Sequence, residues 1–360
     1  MKKMKSILAI MLVSIILLAG CGTGSESSSG SSSAGGNTKP AGSSVSDTSQ
    51  KGEVHTLKYG FVDQGSGVAT GLVGIAKDQG YFEEELAKVN AKIEIIPFTG
   101  AGPAINAALA SKSLDAGAIG DVPALVAKAS GIDTVMVAGG LADAPTYVVA
   151  QPGKGYKSLK DLKGKKVATQ IGAYMQRVLY LMLENNGLKI DDIQFVNMTA
   201  KDAVNALAAK TVDAIVVSAA QSQTLASKGL GELLDSTEGH REWLNSTATV
   251  FNASYTKENP EVVKAFIKGL LRAREYAQKN PGDLRALQIK AGTPENVIDL
   301  VYPDLKNYST LVEADKDVIG NLKSVAQFLK DNKLADSVVD IDAWYNPSFY
   351  NDALKESDSK

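Results

Sequence analysis

Apolar segments alternate with segments of helical periodicity through residues 54–218. The apolar segments are short, and small or polar residues follow most of them, which is typical of buried strands. Between them, apolar side chains recur at helical spacing, as in the face formed by Val178, Leu179, Met182 and Leu183. This alternation is typical of an α/β protein with mixed, mainly parallel sheets flanked by helices. Strands are predicted at 54–62, 92–98, 116–119, 134–138, 147–150, 166–170, 193–198 and 214–218.

From residue 247 the pattern changes to one extended segment followed by helices. Residues 247–255 predict a strand, and 261–279 predict an amphipathic helix that ends before Pro281. The aromatic segment 343–347 is predicted to pack against the fold. Further helices are predicted at 284–291, 294–302 and 316–332.

One sequence unit occurs twice. Residues 105–125 (INAALASKSLDAGAIGDVPAL) match residues 204–224 (VNALAAKTVDAIVVSAAQSQT) when one residue is deleted, so that Asp115 corresponds to Asp213. The spacing is too long for a solenoid, whose period is about 20–50 residues. The repeat therefore predicts two similar α/β lobes that present equivalent strand ends to a shared cleft.

The two lobes are predicted to share the chain unequally. Residues 53–146 and 248–352 are assigned to lobe 1, and residues 147–247 to lobe 2. The chain would then pass between the lobes near 141–147 and 247–255, and two such crossings form a hinge.

The first 52 residues are predicted to lie outside the folded part. Residues 1–20 combine lysines with an apolar stretch too short to span a membrane, which is typical of a signal peptide. The sequence Leu-Ala-Gly-Cys ending at Cys21 resembles a bacterial lipobox, so we expect acyl chains such as palmitate on Cys21 to anchor the protein to a membrane. The alternative is an ordinary signal peptide with an incidental cysteine. Residues 21–52, dominated by Ser and Gly, predict a flexible linker.

Composition excludes several classes of function. The formal net charge of −2 offers no basic surface for nucleic acid. Cys21 is the only cysteine, and the two histidines, His55 and His240, have no partners at metal-ligand or nucleophile spacing. The glycine-rich turn after the first strand lacks the dinucleotide and P-loop fingerprints. We therefore expect no disulfide within the chain, no metal, no cofactor and no enzymatic activity.

Five turns at predicted strand ends are rich in small and polar residues. In open α/β sheets ligands bind beyond the carboxyl ends of the strands, and free N–H groups at helix starts favour anions. Any one of these turns is also explained by turn geometry alone. Together they give the predicted ligand-binding residues Gln64, Ser66, Gly100, Gly102, Gly120, Asp121, Gln170, Gly172, Ala173, Tyr174, Ser218 and Gln221.

Charged side chains near these turns have two interpretations each. Asp63, Asp121 and Asp143 follow strands of lobe 1, where a carboxylate could hold a ligand ammonium or cap a turn. Arg177 lies early in a predicted helix, where it could pair with an anion or face solvent. Tyr174 could contact the ligand or belong to the core.

Five segments have the order and spacing of a known family: Cys21 with its lipobox, Ala-Gly-Pro at 101–103, Leu-Asp-Ala-Gly at 114–117, Asp-Leu-Lys-Gly-Lys-Lys-Val-Ala at 161–168 and the helix at 260–277. They resemble the substrate-binding proteins of ABC importers for aliphatic sulfonates, taurine, nitrate and thiamin precursors. The resemblance spans about residues 54–350 and implies a two-lobed type II periplasmic-binding-protein fold. Such a fold closes on a small anion or zwitterion and delivers it to a membrane permease. In relatives, the cleft turns that match Ser66, Gly102, Asp121, 172–174 and Ser218 line the pocket.

The resemblance favours a sulfonate- or taurine-like ligand, with Asp121 on an amine and helix starts of lobe 2 on the sulfonate. Residues 218–222 read Ser-Ala-Ala-Gln-Ser where many relatives have a Trp and an acidic residue, which leaves the ligand open. Nitrate, bicarbonate, an aromatic carboxylate, a thiamin-precursor pyrimidine and a ligand-sensing role stay as alternatives. Enzymes of this fold that make a thiamin pyrimidine would need a His and Cys cluster, which the sequence lacks. The implied partners are ABC permease and ATPase subunits, and we expect a monomer on the outer face of a bacterial cytoplasmic membrane.

Overall fold

A computed structural model describes residues 53–142, 144–302 and 312–358. Cys21, the linker 21–52 and Asp143 therefore lie outside the described residues. The strands are β1 (His55–Val62), β2 (Ala91–Phe98), β3 (Ala116–Gly120), β4 (Thr134–Ala142), β5 (Thr146–Ala150), β6 (Lys166–Thr169), β7 (Gln194–Asn197), β8 (Ala214–Ser218), β9 (Glu232–Ser236) and β10 (Asn245–Asn252). The helices are α1 (Gly71–Asp78), α2 (Tyr81–Ala87), α3 (Ala101–Ala110), α4 (Asp121–Ala129), α5 (Tyr174–Asn185), α6 (Ala200–Ala208), α7 (Ala219–Ser227), α8 (Ala253–Glu258), α9 (Pro260–Lys279), α10 (Pro281–Lys290), α11 (Glu295–Val301), α12 (Lys316–Asp331), α13 (Ile341–Trp344) and α14 (Ser348–Asp358).

Two five-stranded sheets form the centres of two lobes. The first sheet has the order β2-β1-β3-β10-β4, and the second has the order β7-β6-β8-β5-β9. In each sheet the first three strands pair in parallel and the last three pair antiparallel. The predicted two-lobed α/β fold with mixed sheets is confirmed. Four strands of each sheet run in the same direction, and β10 in the first sheet and β5 in the second run against them.

The chain exchanges a strand at each passage between the lobes. β4 belongs to the first sheet and the next strand, β5, to the second; β9 belongs to the second sheet and β10 to the first. The second passage therefore occupies residues 237–244, earlier than the predicted 247–255. The difference arises because β10 already pairs with β3, with Thr247 opposite Gly120, and because the helix α8 begins at Ala253.

Lobe 1 has an apolar core on each face of its sheet. On one face α1, α2 and α9 cover the sheet, and the rings of Phe82 and Phe266 stack with centroids 4.9 Å apart. α9 forms here because Pro260 suits a first helical turn and its apolar stripe faces the sheet. On the other face Trp344 is buried and its indole N–H donates to the hydroxyl of Thr134 at 3.2 Å. The aromatic segment 343–347 thus packs against the fold as predicted.

Lobe 2 repeats this arrangement around its own sheet. α5 packs on one face through Val178, Leu179 and Met182, and α6 and α7 cover the other face. Strand β9 and helix α14 are not predicted by the sequence pattern, because Glu-Leu-Leu-Asp-Ser does not alternate and α14 is largely polar. Within the described ranges, no helix has both the length and the apolar character that a membrane span requires.

The sequence repeat has the same local structure in both copies. Asp115 Oδ2 accepts a hydrogen bond from the backbone N–H of Lys58 at 2.8 Å, and Asp213 Oδ2 accepts one from Lys166 at 3.0 Å. Each carboxylate therefore ties the strand it precedes to the neighbouring parallel strand. Lys112 and Lys210 both adopt a left-handed backbone, with φ of 57° and 60°. The repeat places β3 and β8 at equivalent positions, so both send their carboxyl ends toward the same cleft.

Candidate functional site

A cavity of about 400 Å³ lies between the lobes, at the carboxyl ends of parallel strands from both sheets. Val62 and Gly120 mark the ends of β1 and β3 on one side, and Thr169 marks the end of β6 on the other. The volume falls in the range of roughly 300–1,000 Å³ that ligand pockets occupy. Ligand sites of open α/β sheets lie at these strand ends, so the cavity is the candidate binding site.

Hydrogen bonds join the two lobes beside the cavity. The side-chain amide of Gln170, in lobe 2, donates to the carbonyl of Gly100 in lobe 1 at 3.0 Å. Gln221, in lobe 2, donates through Nε2 to Oε1 of Gln64 in lobe 1 at 3.1 Å. Gln64 and Gln170 also line the cavity. The lobes are therefore in a closed arrangement around it.

Four helices begin at the cavity without a side-chain cap. Their N-cap residues are Thr70 for α1, Gly100 for α3, Gly120 for α4 and Ala173 for α5. The first N–H groups of a helix lack intrahelical partners and form its positive end, which favours an anion.

In α5 the first two helical residues, Tyr174 and Met175, both line the cavity. By contrast, α6 and α7 of lobe 2 are capped by their own side chains. Thr199 Oγ1 accepts the N–H of Asp202 at 3.2 Å, and Ser218 Oγ accepts the N–H of Gln221 at 3.4 Å. In lobe 2, therefore, α5 offers the uncapped helix start that meets the cavity.

Polar side-chain atoms next to this helix start are buried without partners. Thr169 Oγ1 and Asn245 Oδ1 have no hydrogen-bond partner among the described residues, and both residues line the cavity. The hydroxyl of Tyr174 accepts from Thr146 at 3.5 Å, which leaves its own proton available to a ligand. Burial raises the pKa of Tyr174, so this group is a neutral donor near pH 7. A buried polar atom without a partner costs about 1–3 kcal/mol, which a ligand with matching groups would offset.

The described side chains that line the cavity are uncharged, and aromatic and aliphatic groups make up much of its wall. An anion in the cavity would therefore be held by N–H and O–H donors, and no carboxylate among these described lining residues would face an ammonium. Among the described residues, no group of His, Cys, Asp or Glu is arranged to hold a metal ion.

The carboxylate of Asp121 does not line the cavity. Its side chain is 0% exposed, and Oδ2 accepts the N–H of Ser246 at 2.9 Å and the amide of Asn321 at 3.4 Å. Oδ1 accepts the N–H of Val122 at 2.7 Å. Burial raises the pKa of Asp121, while the charge of Arg177 and these hydrogen bonds act in the opposite direction. In this arrangement Asp121 holds α4 to the start of β10.

Arg177 also lies outside the cavity, and it does not face solvent. Its guanidinium donates to the carbonyls of Glu242, Trp243 and Leu244 at 3.2, 3.4 and 3.4 Å. Burial lowers its pKa, and the neighbouring charge of Asp121 opposes that shift. Arg177 therefore fixes α5 to the segment through which the chain returns to lobe 1.

Asp63 organises the first turn of the site. Its Oδ1 accepts the backbone N–H groups of Ser66 and Gly67, each at 3.1 Å, and the hydroxyl of Ser66 at 3.3 Å. The carboxylate is thus occupied as the cap of a turn, which is one of its two predicted roles.

Six of the twelve predicted ligand-binding residues line the cavity. The predicted residues that line it are Gln64, Gly102, Gly120, Gln170, Ala173 and Tyr174. Gly102 is explained by packing as well, because a Cβ there would lie 2.4 Å from the ring of Pro123 on α4.

The other predicted residues have bonds elsewhere in this closed arrangement. Ser66 bonds Asp63, the Gly172 N–H donates to Gln176 Oε1 at 2.8 Å, and Ser218 and Gln221 cap α7. Gly100 accepts from Gln170, and Asp121 is bonded behind the cavity. Direct contact of these six residues with a ligand stays a prediction.

Several lining residues are missed by the sequence analysis. Tyr59 and Phe61 are two residues apart in β1 and therefore share one face of the strand. This two-residue spacing is the sequence signal that could have placed them together. Asn245, Thr249 and Leu270 come from β10 and α9, whose position depends on pairing with distant parts of the chain. No local pattern marks them as cavity residues.

Comparison with known proteins gives the family. Residues 69–283 match the family described as NMT1/THI5 like. A protein of Brucella abortus (strain 2308), provisionally named a binding protein, is 31% identical over 216 residues, which are 59% of this chain and 64% of that protein. The match to this relative thus spans less than two thirds of its length. An Escherichia coli (strain K12) protein, provisionally named an aliphatic sulfonates-binding protein, is 30% identical over 287 residues, or 76% of this chain and 86% of that protein. The chain belongs to the NMT1/THI5-like family.

Solved structures share the fold. The periplasmic aliphatic sulphonate binding protein SsuA from Escherichia coli is 26% identical, with a TM-score of 0.65, over 81% of this chain and 97% of that chain. The desulfurization enzyme DSZB is 16% identical, with a TM-score of 0.67, over 84% of this chain and 99% of that one. The likeness to DSZB shows the fold alone. The resemblance to binding proteins of this group, drawn from the sequence, is confirmed.

Proposed function

We propose that this protein is the extracytoplasmic solute-binding component of an ABC importer and that it binds an organic anion of the sulfonate type between its lobes. One observation carries the proposal. The uncapped start of α5 meets a cavity with uncharged lining, beside the unpartnered hydroxyl of Thr169 and the hydroxyl of Tyr174. Relatives named for binding aliphatic sulfonates belong to the same family and have the same fold.

The site suits a sulfonate chemically. Its three oxygens are acceptors only, which matches the N–H groups of Tyr174 and Met175 and the hydroxyl of Thr169. These dipoles are worth more in a cavity of low dielectric than they would be in water. An oxyanion here needs no cationic side chain.

Closure couples binding to the shape recognised by the importer. A ligand that contacts both lobes shifts the population toward the closed form by as much as it prefers that form. The hydrogen bonds from Gln170 to Gly100 and from Gln221 to Gln64 join the lobes and would break when they separate. Opening by a membrane permease would then release the ligand.

The geometry favours a sulfonate without an amine over taurine. Two of the three carboxylates that were expected to meet an ammonium are occupied, since Asp63 caps a turn and Asp121 bonds β10. The third, Asp143, lies outside the described residues. A zwitterion would bury its ammonium without an anionic partner, which is costly.

Anchoring and assembly are proposed from the sequence. Residues 1–20 would be removed as a signal peptide, and Cys21 would carry the lipid that holds the protein, as a monomer, on the outer face of the cytoplasmic membrane. ABC permease and ATPase subunits would be its partners. Labelling with radioactive palmitate should mark the protein and be lost in Cys21→Ser; equal labelling of both would disprove lipidation at Cys21.

Titration calorimetry on the full-length protein in mild detergent tests the ligand class. We expect ethanesulfonate and butanesulfonate to bind at least about 10-fold more tightly than taurine, nitrate, bicarbonate, benzoate or a thiamin-precursor pyrimidine. Thr169→Val should weaken sulfonate binding by about 10-fold, since one hydrogen bond to a charged group is lost. Thr211→Val, the same substitution in the same lobe at a threonine outside the cavity, is the matched control and should leave the affinity unchanged. Binding of a pyrimidine or benzoate alone would discard the sulfonate assignment.

A further inference from the structure

The cavity continues from the cleft into lobe 1, between the sheet and the helices that cover it. This extension is lined by Tyr59, Phe61, Ala118, Ala138, Thr249 and Leu270, and we call it the lobe-1 arm. All of these residues except Leu270 belong to strands of the first sheet, and Leu270 belongs to α9 on the covering layer. The arm therefore lies within the layer that elsewhere forms the apolar core of lobe 1.

The arm exists because one row of the sheet has small side chains at three of its four positions. Phe61 lies opposite Ala118, Ala118 opposite Thr249, and Thr249 opposite Ala138, so the four positions form a row across four strands. Two residues deeper, Tyr59 lies opposite Ala116 and Ala116 opposite Phe251. The rings of Tyr59 and Phe251 lie 4.8 and 5.6 Å from that of Phe266 on α9, which closes the layer. The gap is thus confined to the row nearest the cleft.

Lobe 2 fills the equivalent row. The repeat aligns Ala118 with Val216, and Val216 lies opposite Val148 on the crossing strand β5, as Ala118 lies opposite Thr249 on β10. Val148 and Val216 are 0% and 1% exposed and belong to the core beneath α5. The fold therefore does not require an empty row; the small side chains in lobe 1 create it.

The closed end of the arm carries a polar group. The hydroxyl of Tyr59 is buried; Thr249 is its polar neighbour, but no hydrogen bond of good geometry reaches the hydroxyl from the described residues. Burial raises the pKa of Tyr59 well above its ordinary value, so the hydroxyl keeps its proton. A donor in this position can be satisfied by an acceptor atom that reaches the end of the arm.

The cavity is larger than a short amino-sulfonate needs. A molecule of about seven non-hydrogen atoms occupies roughly 200 Å³ if each atom takes the volume of one liquid water molecule. That is about half of the ≈ 400 Å³ between and within the lobes. A short ligand would leave the apolar row uncovered.

We propose that the natural ligand is an elongated amphiphilic anion whose head lies at the start of α5, whose apolar chain fills the lobe-1 arm and whose far end presents an acceptor to Tyr59. The assignment of the head as a sulfonate rests on the proposed function; the arm rests on the geometry of lobe 1. Each methylene buried in the arm should strengthen binding by about fourfold, the factor that corresponds to about 0.8 kcal/mol.

The test is calorimetry with two series of straight-chain anions, 1-sulfonates and carboxylates, from two to ten carbons, on the full-length protein. We expect affinity to rise by about fourfold per methylene and then to level off when the arm is full. In Ala118→Val and Ala118→Leu the rise should stop at progressively shorter chains, while the two-carbon ligand binds as to the unsubstituted protein. The two-carbon ligand thus reports whether each variant is folded.

The outcomes separate the two proposals. A rise with chain length for carboxylates without any binding of sulfonates keeps the arm and discards the sulfonate head. Binding of sulfonates with no gain beyond two carbons keeps the head and overturns the arm. Absence of binding in both series, or an equal loss for all lengths in Ala118→Leu, also overturns the arm.

Tyr59→Phe examines the far end. Two ligands of the length that just fills the arm are compared, one ending in a hydroxyl and one in a methyl group. After correction for the greater cost of desolvating the hydroxyl, the hydroxyl-ended chain should bind about 2- to 10-fold more tightly than the methyl-ended chain. That advantage should vanish in Tyr59→Phe, while binding of the methyl-ended chain is kept. An advantage that survives the substitution would show that Tyr59 does not meet the ligand.

Discussion

The two copies of the α/β repeat have the same backbone structure, but their helices differ in whether a side chain caps the N-terminus. In both copies an aspartate ties neighbouring strands together, and a lysine turns the chain with a left-handed backbone. In lobe 1, the N-cap residues of α3 and α4 are Gly100 and Gly120, which provide no side-chain cap. In lobe 2, the N-cap residues of the equivalent helices α6 and α7 are Thr199 and Ser218, and the side chain of each caps its own helix.

The difference shows how one repeated unit yields a site that is not symmetric. The hydroxyl of Ser218 caps α7, whereas Gly120 lines the cavity with no polar side chain. The second departure is at the next position, where a buried Asp121 in lobe 1 replaces Ala219 of lobe 2. The third is the row of small residues that opens the lobe-1 arm. The repeated unit gives both lobes the same backbone arrangement, and the positions at which the two copies differ give the site its asymmetry.

The largest expected effect is on stability and concerns Asp121. Asp121→Ala, which installs the lobe-2 residue, leaves the buried guanidinium of Arg177 without its neighbouring charge and frees the N–H of Ser246. We expect a loss of about 3–5 kcal/mol in the free energy of unfolding, measured by urea denaturation. In a double-mutant cycle with Arg177→Ala, a coupling below about 0.5 kcal/mol would show that the two charges act independently.

The next effect is on binding and concerns the uncapped helix α5. Ala173→Asp would give α5 a cap and place a negative charge where the anionic head is proposed to lie. We expect sulfonate affinity to fall by about 100-fold or more, while the free energy of unfolding rises by about 1 kcal/mol. Ala173→Ser, which introduces a neutral cap, should have a sulfonate affinity between those of Ala173→Asp and the unsubstituted protein. If Ala173→Asp bound sulfonates as the unsubstituted protein does, the head would lie elsewhere.

A smaller difference should separate the two repeated aspartates. Asp115→Ala removes one strand-to-strand bond to Lys58 and should cost about 1.5–3 kcal/mol. Asp213→Ala should cost more, because Asp213 Oδ1 also accepts the hydroxyl of Tyr156 at 2.9 Å. Thermal unfolding of both variants, with and without Tyr156→Phe, measures the excess. An excess that persists in the Tyr156→Phe background would contradict this explanation.

The smallest effects are expected at the two left-handed lysines. Lys112→Gly and Lys210→Gly should each stabilise the protein by up to about 1 kcal/mol, since glycine adopts a positive φ without strain from a Cβ. Calorimetric unfolding should give equal gains, because the two turns are equivalent. Lys112→Ala and Lys210→Ala are the controls and should show no gain; a gain as large as that of glycine would point to charge instead of backbone strain.

Local sequence patterns determine most of the fold. Every strand with a clear apolar run is predicted within a few residues of its observed ends. The signal is clearest in β3, β5, β6 and β8, because burial on both faces leaves a continuous apolar segment. β9 is not predicted, because Glu232–Ser236 forms an edge strand that stays partly exposed and so lacks a continuous apolar run. The return to lobe 1 is predicted too late because β10 inserts antiparallel between β3 and β4, a pairing between distant segments that no local period reveals.

The site is predictable only where it lies at strand ends. Glycine-rich turns mark Gly102, Gly120 and Ala173 because small residues and helix starts are local features. The same pattern also selects Ser218, whose hydroxyl caps its own helix. Asn245 and Leu270 line the cavity through packing between distant segments, so their roles follow from the fold and not from their neighbours in sequence.

The exchange of strands between the lobes also constrains the order in which the chain can fold. Lobe 2 draws all of its strands, β5 to β9, from one continuous stretch and can complete its sheet alone. The first sheet needs β10, which follows all of them, and until β10 arrives β3 has an open edge. Late pairing between distant segments slows folding, and an open strand edge invites aggregation. A newly made chain that stops before Asn245 would thus hold one finished sheet beside one exposed edge, and that interval is when a folding chaperone would matter most.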